Sequence, residues 1–367
     1  MKKIPFMNLK ITDKLERDKL NNTFIRLMNH GQYLMGKEVD DFENKISKYC
    51  YRKYCVGVSS GTDALYTALR AVGVGVGDEV ITTSLSWIAT TNAITMTGAT
   101  PIFADIKNDL NIDANSVESL ITENTKAILP VHYTGRAVEI DEFSEIKKKY
   151  NIKLIYDAAQ AFGSIYKDKP IGYYGDISCF SMNPMKTLGA CGEAGAIVTD
   201  DNEIYERIKI LRYNGTVNKE VCVEPSLNGR IDALQAAILV DRLEFLDEKI
   251  EKRQKIAEYY DELLEGVVVL PKRNSKDNIS SYYSYTIQTN YRDGLAKYLL
   301  ENGVETKILH PILMCDQLPY KNNTNNTSIN ARDIVKQILS LPASEKVEKK
   351  DVEYIASLIK EYIKFKE

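Results

Sequence analysis

Residues 54–72 read YCVGVSSGTDALYTALRAV. The opening YCVGVSS is a short apolar run that closes on two serines, which reads as a strand. TDALYTALRAV, after Gly61, carries apolar residues at helical spacing. A strand that passes through a tight turn straight into a helix is the start of an α/β unit.

The alternation continues to about residue 200. DEVITTS (78–84), TPIFADI (100–106), TKAILPVH (125–132), KLIYDAAQ (153–160), DISCFSM (176–182) and GAIVTDD (195–201) read as strands. WIATTNAITMTG (87–98), IDEFSEIKKKYN (140–151) and NEIYERIKILRYN (202–214) read as helices. Strands joined by helical crossovers predict a mostly parallel sheet with helices on both faces. From Ile231 to Leu264 the pattern reads as one long helix, a spine joining the sheet to the remainder. Beyond it, YYSYTIQT (282–289) is strand-like, and GLAKYLLENG (294–303) and DVEYIASLIKEYIKF (351–365) are helical. KNNTNNTS (321–328) is a polar loop. The expected organisation is a large domain over 13–250 and a small α+β domain over 251–367. Segment 1–12 is expected to pack on the small one.

The bulk numbers exclude several classes. With 367 residues, the chain is long enough for two domains of about 100–200 residues each. Forty-eight basic against 51 acidic residues leave a net charge of −3, so the chain has no footprint for nucleic acid or an anionic membrane surface. No run approaches about 18 apolar residues, and the N-terminus lacks the apolar core of a signal peptide. Six scattered cysteines and three widely spaced histidines form neither a disulfide framework nor a metal-ligand pattern, so no metal is expected. A cytoplasmic protein with reduced thiols is the expectation.

Ligands of open parallel α/β sheets bind beyond the carboxyl ends of the strands, so the residues delivered there matter most. The first strand delivers Ser60, Gly61 and Thr62 at a helix N-terminus. Free N–H groups, a hydroxyl and the helix dipole make a cradle for phosphate, although local sequence taken alone favours ordinary capping by Thr62 or Ser60. The second delivers Trp87, the chain's only tryptophan, placed to stack on a planar ring. KLIYDAAQ delivers Asp157 and Gln160; a carboxylate ending a buried strand needs a cation or N–H donors, structural or functional. DISCFSM delivers Ser181, and Lys186 follows in CFSMNPMKTLGACGEAG (179–195), with no acidic residue closer than Glu193. An amine among apolar groups loses basicity and is suited to a Schiff base. Phosphate anchor, ring face, pyridinium partner and amine are the parts that a pyridoxal 5′-phosphate site requires.

Longer stretches carry a resemblance. VGVSSGTDALYTALRAVGVGVGDEVITTSLSWIATTNAITMTGATPIFADI, PVHYTGRAVEID, IYDAAQAFGSIYKDKPIGYYGDISCFS, GEAGAIVTDD and NGRIDALQAAIL resemble the DegT/DnrJ-type nucleotide-sugar aminotransferases. IPFMNLK and SLPAS extend the likeness towards both ends. The resemblance implies the aspartate-aminotransferase type I fold, a homodimer with active sites at the subunit interface, and pyridoxal phosphate as cofactor. It also implies ping-pong transfer of an amino group, from L-glutamate, to position 3 or 4 of a nucleotide-linked keto-deoxysugar, for an amino sugar of a surface polysaccharide or glycoconjugate.

Residue by residue, Lys186 matches the Schiff-base lysine, Asp157 the partner of the pyridine nitrogen, and Gln160 a residue near the ring hydroxyl. Trp87 matches the stacking aromatic, and Gly61, Thr62 and Ser181 match phosphate contacts. Asn228 matches an asparagine that reaches the other subunit's cofactor phosphate. Arg230, His132, Tyr33 and His310 are the candidate substrate contacts, although for His132 a satisfied structural histidine is the stronger reading. Tyr156 stands where the family usually has an acidic residue, and LHPILMCDQLPY is a degenerate form of its His-Tyr-Pro loop. A histidine replaces the lysine in the related sugar dehydratases, so Lys186 argues for amino transfer over dehydration; a non-catalytic, cofactor-binding regulator would keep the lysine and is set apart only by lack of turnover on glutamate.

Overall fold

The computed structural model describes residues 3–321 and 328–366. The polar stretch 321–328 therefore lies largely outside the described residues. Two helices, α1 (Lys14–His30) and α2 (Lys37–Tyr49), lead into the sheet. Then β1 (Tyr54–Val58), α3 (Gly61–Ala71), β2 (Glu79–Thr83), α4 (Ala89–Met96), β3 (Thr100–Ala104), α5 (Ala114–Ser119), β4 (Thr125–Leu129), α6 (Ile140–Tyr150) and β5 (Lys153–Asp157) alternate. The short strands β6 (Ile165–Tyr166) and β7 (Lys169–Pro170) precede β8 (Ile177–Ser181) and β9 (Gly195–Thr199). Helix α7 (Asn202–Arg212) and the hairpin of β10 (Thr216–Val217) and β11 (Val221–Cys222) complete this part.

The main sheet has the order β1-β9-β8-β5-β4-β2-β3. Strand β9 runs antiparallel to both its neighbours and every other pairing is parallel. Side chains alternate across it. Ile81, Ile128, Leu154 and Tyr156 pack into one buried cluster, and Val80, Ala127, Leu129 and Ile155 into another on the opposite face. Ala64, Leu65, Tyr66, Ala68, Leu69 and Ala71 of helix α3 lie inside the second cluster.

The spine differs from its sequence reading. It is two helices, α8 (Ala233–Leu243) and α9 (Leu246–Leu264), separated at Glu244–Phe245. At the break the Phe245 N–H turns back to the Arg242 carbonyl, and the Arg242 guanidinium pairs with Glu16 and donates to the carbonyls of Gly189 and Ala190. Helix α9 itself serves two cores. Leu246 and Ile250 pack with the sheet cluster, whereas Ile256, Ala257, Tyr260 and Leu264 pack with a C-terminal one.

Beyond α9 come β12 (Asn278–Ile279), β13 (Tyr285–Gln288), α10 (Arg292–Glu301), α11 (Ile329–Ile334), β14 (Ile338–Leu341) and α12 (Lys349–Lys366). Strand β13 pairs antiparallel with β14. Ile4 is buried in the same cluster and bridges to Val304. No helix among the described residues is long and apolar enough to cross a membrane.

Candidate active site at the strand ends

The turn between β1 and α3 is held from several sides. Ser60 is the N-cap of α3, its Oγ accepting from the Asp63 N–H at 3.1 Å. A Cβ on Gly61 would stand 2.5 Å from the Ser181 Cβ, so the first turn of α3 meets the end of β8 through a glycine and nothing larger. Thr62 and Ser181 are half-buried beside it. The capping that local sequence allowed is therefore present at Ser60, and the same turn gathers a helix N-terminus with the hydroxyl residues of two strand ends.

Asp157 ends β5, with only 4% of its surface exposed. Its Oδ2 accepts the Thr90 hydroxyl at 2.8 Å, and its Oδ1 accepts the Ala159 N–H at 3.1 Å. Burial pushes the carboxyl above its ordinary range, while the two donors and the charge of Lys186 pull it back. Gln160 is also buried, and its Oε1 accepts the Thr134 N–H at 2.8 Å, pinning a turn in which Thr134 and Gly135 both have positive φ. Thr90 escaped the sequence reading because a threonine at a helix start normally signals capping alone.

Lys186 lies on the loop after β8, which curls tightly. Its N–H donates to the Asn183 carbonyl at 2.8 Å, and a Cβ on Gly189 would stand 2.7 Å from the Pro184 carbonyl oxygen. The side chain is half-buried and, among the described residues, forms no salt bridge. Its ammonium sits 4.6 Å from the ring centroid of Tyr283, a cation–π contact delivered from just before β13. Tyr283 was also missed, because YYSYTIQT read simply as a strand. On the other side of the loop, a cleft of about 560 Å³ opens between Lys186, Arg242, Lys249 and the N-terminal segment around Leu9.

Trp87 is 62% exposed, with its ring 6.0 Å from that of His310. His310 also has a positive φ, and its Nδ1 lies 3.0 Å from the Tyr133 hydroxyl. Burial, with help from the charge of Lys186, lowers its pKa to about 4, so the ring is neutral near pH 7. The three rings and Lys186 thus share one side of the strand ends.

The remaining candidates stand outside that group of rings, although Asn228 and Arg230 come to the carboxyl end of β1 beside the α3 turn. His132 is fully buried; its ring stacks on Tyr156 at 4.6 Å and its Nδ1 accepts the Val138 N–H. The sequence placed it facing the crevice, whereas the structure puts it in the core. Burial drops its pKa to about 3. Asn228 and Arg230 form an edge group along β1: the Arg230 Nε donates to the Asn228 Oδ1 at 2.8 Å, the guanidinium lies over Tyr213, and Arg230 bridges to Val58. Tyr33, half-exposed, joins that edge through its carbonyl, which accepts the Ala233 N–H.

A mostly parallel α/β sheet with a buried carboxylate, a capped helix N-terminus and a lysine that forms no salt bridge among the described residues, all at the strand ends, fits the class of the fold type I aminotransferases. The chain belongs to the DegT/DnrJ/EryC1/StrS aminotransferase family, which it matches over residues 14–360. The enzymes of that family depend on pyridoxal phosphate. The chain is 37% identical over 360 residues to a dTDP-3-amino-3,6-dideoxy-alpha-D-galactopyranose transaminase of Aneurinibacillus thermoaerophilus, covering 98% of this chain and 99% of that protein. It is 36% identical over 340 residues to a UDP-2-acetamido-2-deoxy-3-oxo-D-glucuronate aminotransferase of Pseudomonas aeruginosa, covering 92% and 94%. The crystal structure of DesV from S. venezuelae, in complex with a ketimine intermediate, superposes with a TM-score of 0.95 at 33% identity and covers 99% of both chains.

Proposed function

We propose that this chain is a pyridoxal-phosphate-dependent transaminase that moves an amino group from L-glutamate to the keto group, at position 3 or 4, of a nucleotide-linked deoxysugar. The product would serve a surface polysaccharide or glycoconjugate. The observation that carries the reading is the convergence of Lys186, unpaired, and Asp157, buried, beside the Gly61–Ser181 contact. Relatives named as dTDP- and UDP-sugar transaminases over nearly the full chain support the substrate class.

The residues fit the cofactor. The α3 N-terminus, with the hydroxyl residues Ser60, Thr62 and Ser181 gathered there by the close Gly61–Ser181 approach, suits a phosphate, and the buried Asp157 carboxylate suits a protonated ring nitrogen. When bound, pyridoxal phosphate supplies an aldehyde for the amine and a ring that accepts electrons. Lys186 would hold it covalently through Nζ, and as a free amine the same Nζ would serve as the base that moves the proton of the substrate Cα. Asp157 keeps positive charge at the ring nitrogen. Trp87 would cover a ring face, Gln160 would stand near the ring hydroxyl, and Ser60, Gly61, Thr62 and Ser181 would hold the phosphate. Arg230, Tyr33 and His310 border the sugar nucleotide.

A homodimer completes this reading. Phe24, Ile25 and Met28 of α1 are each about half exposed, an apolar surface suited to burial against a second copy. Asn228, exposed at the β1 edge, would then reach the partner's cofactor phosphate.

The test is a panel of dTDP-, UDP- and GDP-linked 3- and 4-keto sugars assayed for glutamate-dependent amination. One or a few should yield an amino sugar with stoichiometric 2-oxoglutarate. Elimination of a hydroxyl without amine product, or no turnover of glutamate by protein that binds the cofactor, would overturn the reading.

A further inference from the structure

The turn that presents Trp87 also does something to Asp157. Ser86 and Thr90 stand one helical turn apart at the start of α4, with Oγ and Oγ1 separated by 3.2 Å. A carboxylate only accepts, so the single Thr90 hydroxyl proton is committed to Asp157, and Ser86 is the donor of the Ser86–Thr90 pair. The Thr90 hydroxyl is therefore not a local cap: it spans 67 positions of sequence to bond the end of β5. All three residues are buried, Ser86 at 4%, Thr90 at 1% and Asp157 at 4% exposure. The Thr90 N–H closes the same turn onto the Trp87 carbonyl at 3.1 Å.

We propose that Thr90, itself held by Ser86, is a positioning residue that fixes the Asp157 carboxylate against the cofactor's ring nitrogen. Thr90 occupies Oδ2 and the Ala159 N–H occupies Oδ1, so neither oxygen is free to rotate away. A charge-assisted hydrogen bond in a dry site is both strong and directional. Because Trp87 lies between Ser86 and Thr90, one five-residue turn sets both the ring's face and the ring's edge partner. The proposal rests on the reading of Asp157 as that partner.

The test uses two variants with opposite defects: Thr90→Val keeps the shape without the hydroxyl, and Thr90→Ser keeps the hydroxyl without the methyl. Asp157→Asn is the reference. The readouts are the Kd for pyridoxal phosphate of cofactor-stripped protein and the single-turnover rate of loaded protein with glutamate. Thr90→Val should weaken cofactor binding about tenfold or more, the scale of one hydrogen bond to a charged group, and slow the turnover comparably. Thr90→Ser should stay within about threefold of the parent in both, as expected when only packing is trimmed. A parent-like Val variant, or a Ser variant as impaired as Val, would overturn the proposal in favour of packing. Should the Val variant fail to fold, the Ser variant still decides, since packing and hydrogen bonding predict opposite results for it. If Asp157→Asn also changes neither readout, the reading of Asp157 falls and takes the proposal with it; if Asp157→Asn is impaired and Thr90→Val is not, only the proposal falls.

Discussion

Asp63 and Asp157 are two carboxylates at the same end of the same sheet, buried alike at 8% and 4% exposure, and burial raises the pKa of both. Their surroundings differ. Asp63 accepts from the Ser59 N–H, the Ser59 hydroxyl and the Thr67 hydroxyl, and Gly229 closes over it so tightly that a Cβ there would stand 2.4 Å from Oδ2. It is sealed. Asp157 has one donor on each oxygen and an amine nearby that forms no salt bridge with it. Burial and a raised pKa are thus common to a structural and a functional carboxylate. What separates them is whether anything is left over for a ligand.

Lys186 is the sharpest way to break that contrast. Lys186→Ala should abolish the visible absorbance that appears on adding pyridoxal phosphate and reduce the glutamate half-reaction by about 10⁴-fold. An unchanged spectrum would remove the reason for treating Asp157 as functional. Next in size, Asp157→Asn should slow the half-reaction by about 10²-fold or more, as loss of a charge facing a reacting ring does. Thermal unfolding of the stripped protein should change less in this variant than in Asp63→Ala.

Asp63→Ala sharpens the other half of the comparison. It strands the Ser59 and Thr67 donors and should cost about 3 kcal/mol of stability, read by denaturant unfolding. Loaded protein should nevertheless keep the parent's absorbance spectrum. The smallest effect belongs to the sealed His132. Its pKa falls from 6.5 to about 3 on folding, so the unfolded chain takes up a proton that the folded one refuses. Stability is full above pH 6.5 and is lost as pH falls towards 3, by about 2 kcal/mol at about pH 5 from this residue. His132→Asn, which can still accept the Val138 N–H, should flatten that part of the melting-temperature profile.

The sheet was legible because its strands are apolar runs punctuated by helix patterns, and the β1–α3 turn announced itself in SSGT. Periodicity could not reveal the break at Glu244–Phe245, since an apolar stripe continues through it while Arg242 is drawn away to Glu16. Strand β14 was unmarked for a related reason: ILSL is too short to stand out until it pairs with β13. In the site, strand ends located Asp157, Gln160, Ser181 and Lys186 through chain order alone. Thr90 and Tyr283 were invisible because each acts across the fold, one on a carboxylate 67 positions away and the other beneath an ammonium. For His132 a strand-end position left a crevice contact open beside the stronger reading of a structural histidine, and the ring folds back onto Tyr156.

Covalent trapping tests the central claim most directly. Pyridoxal phosphate is added to the protein, borohydride reduces the linkage, and the modified peptide is mapped by mass spectrometry. A single phosphopyridoxyl group on Lys186 is the predicted result. Modification of a different lysine, or none, would contradict the account.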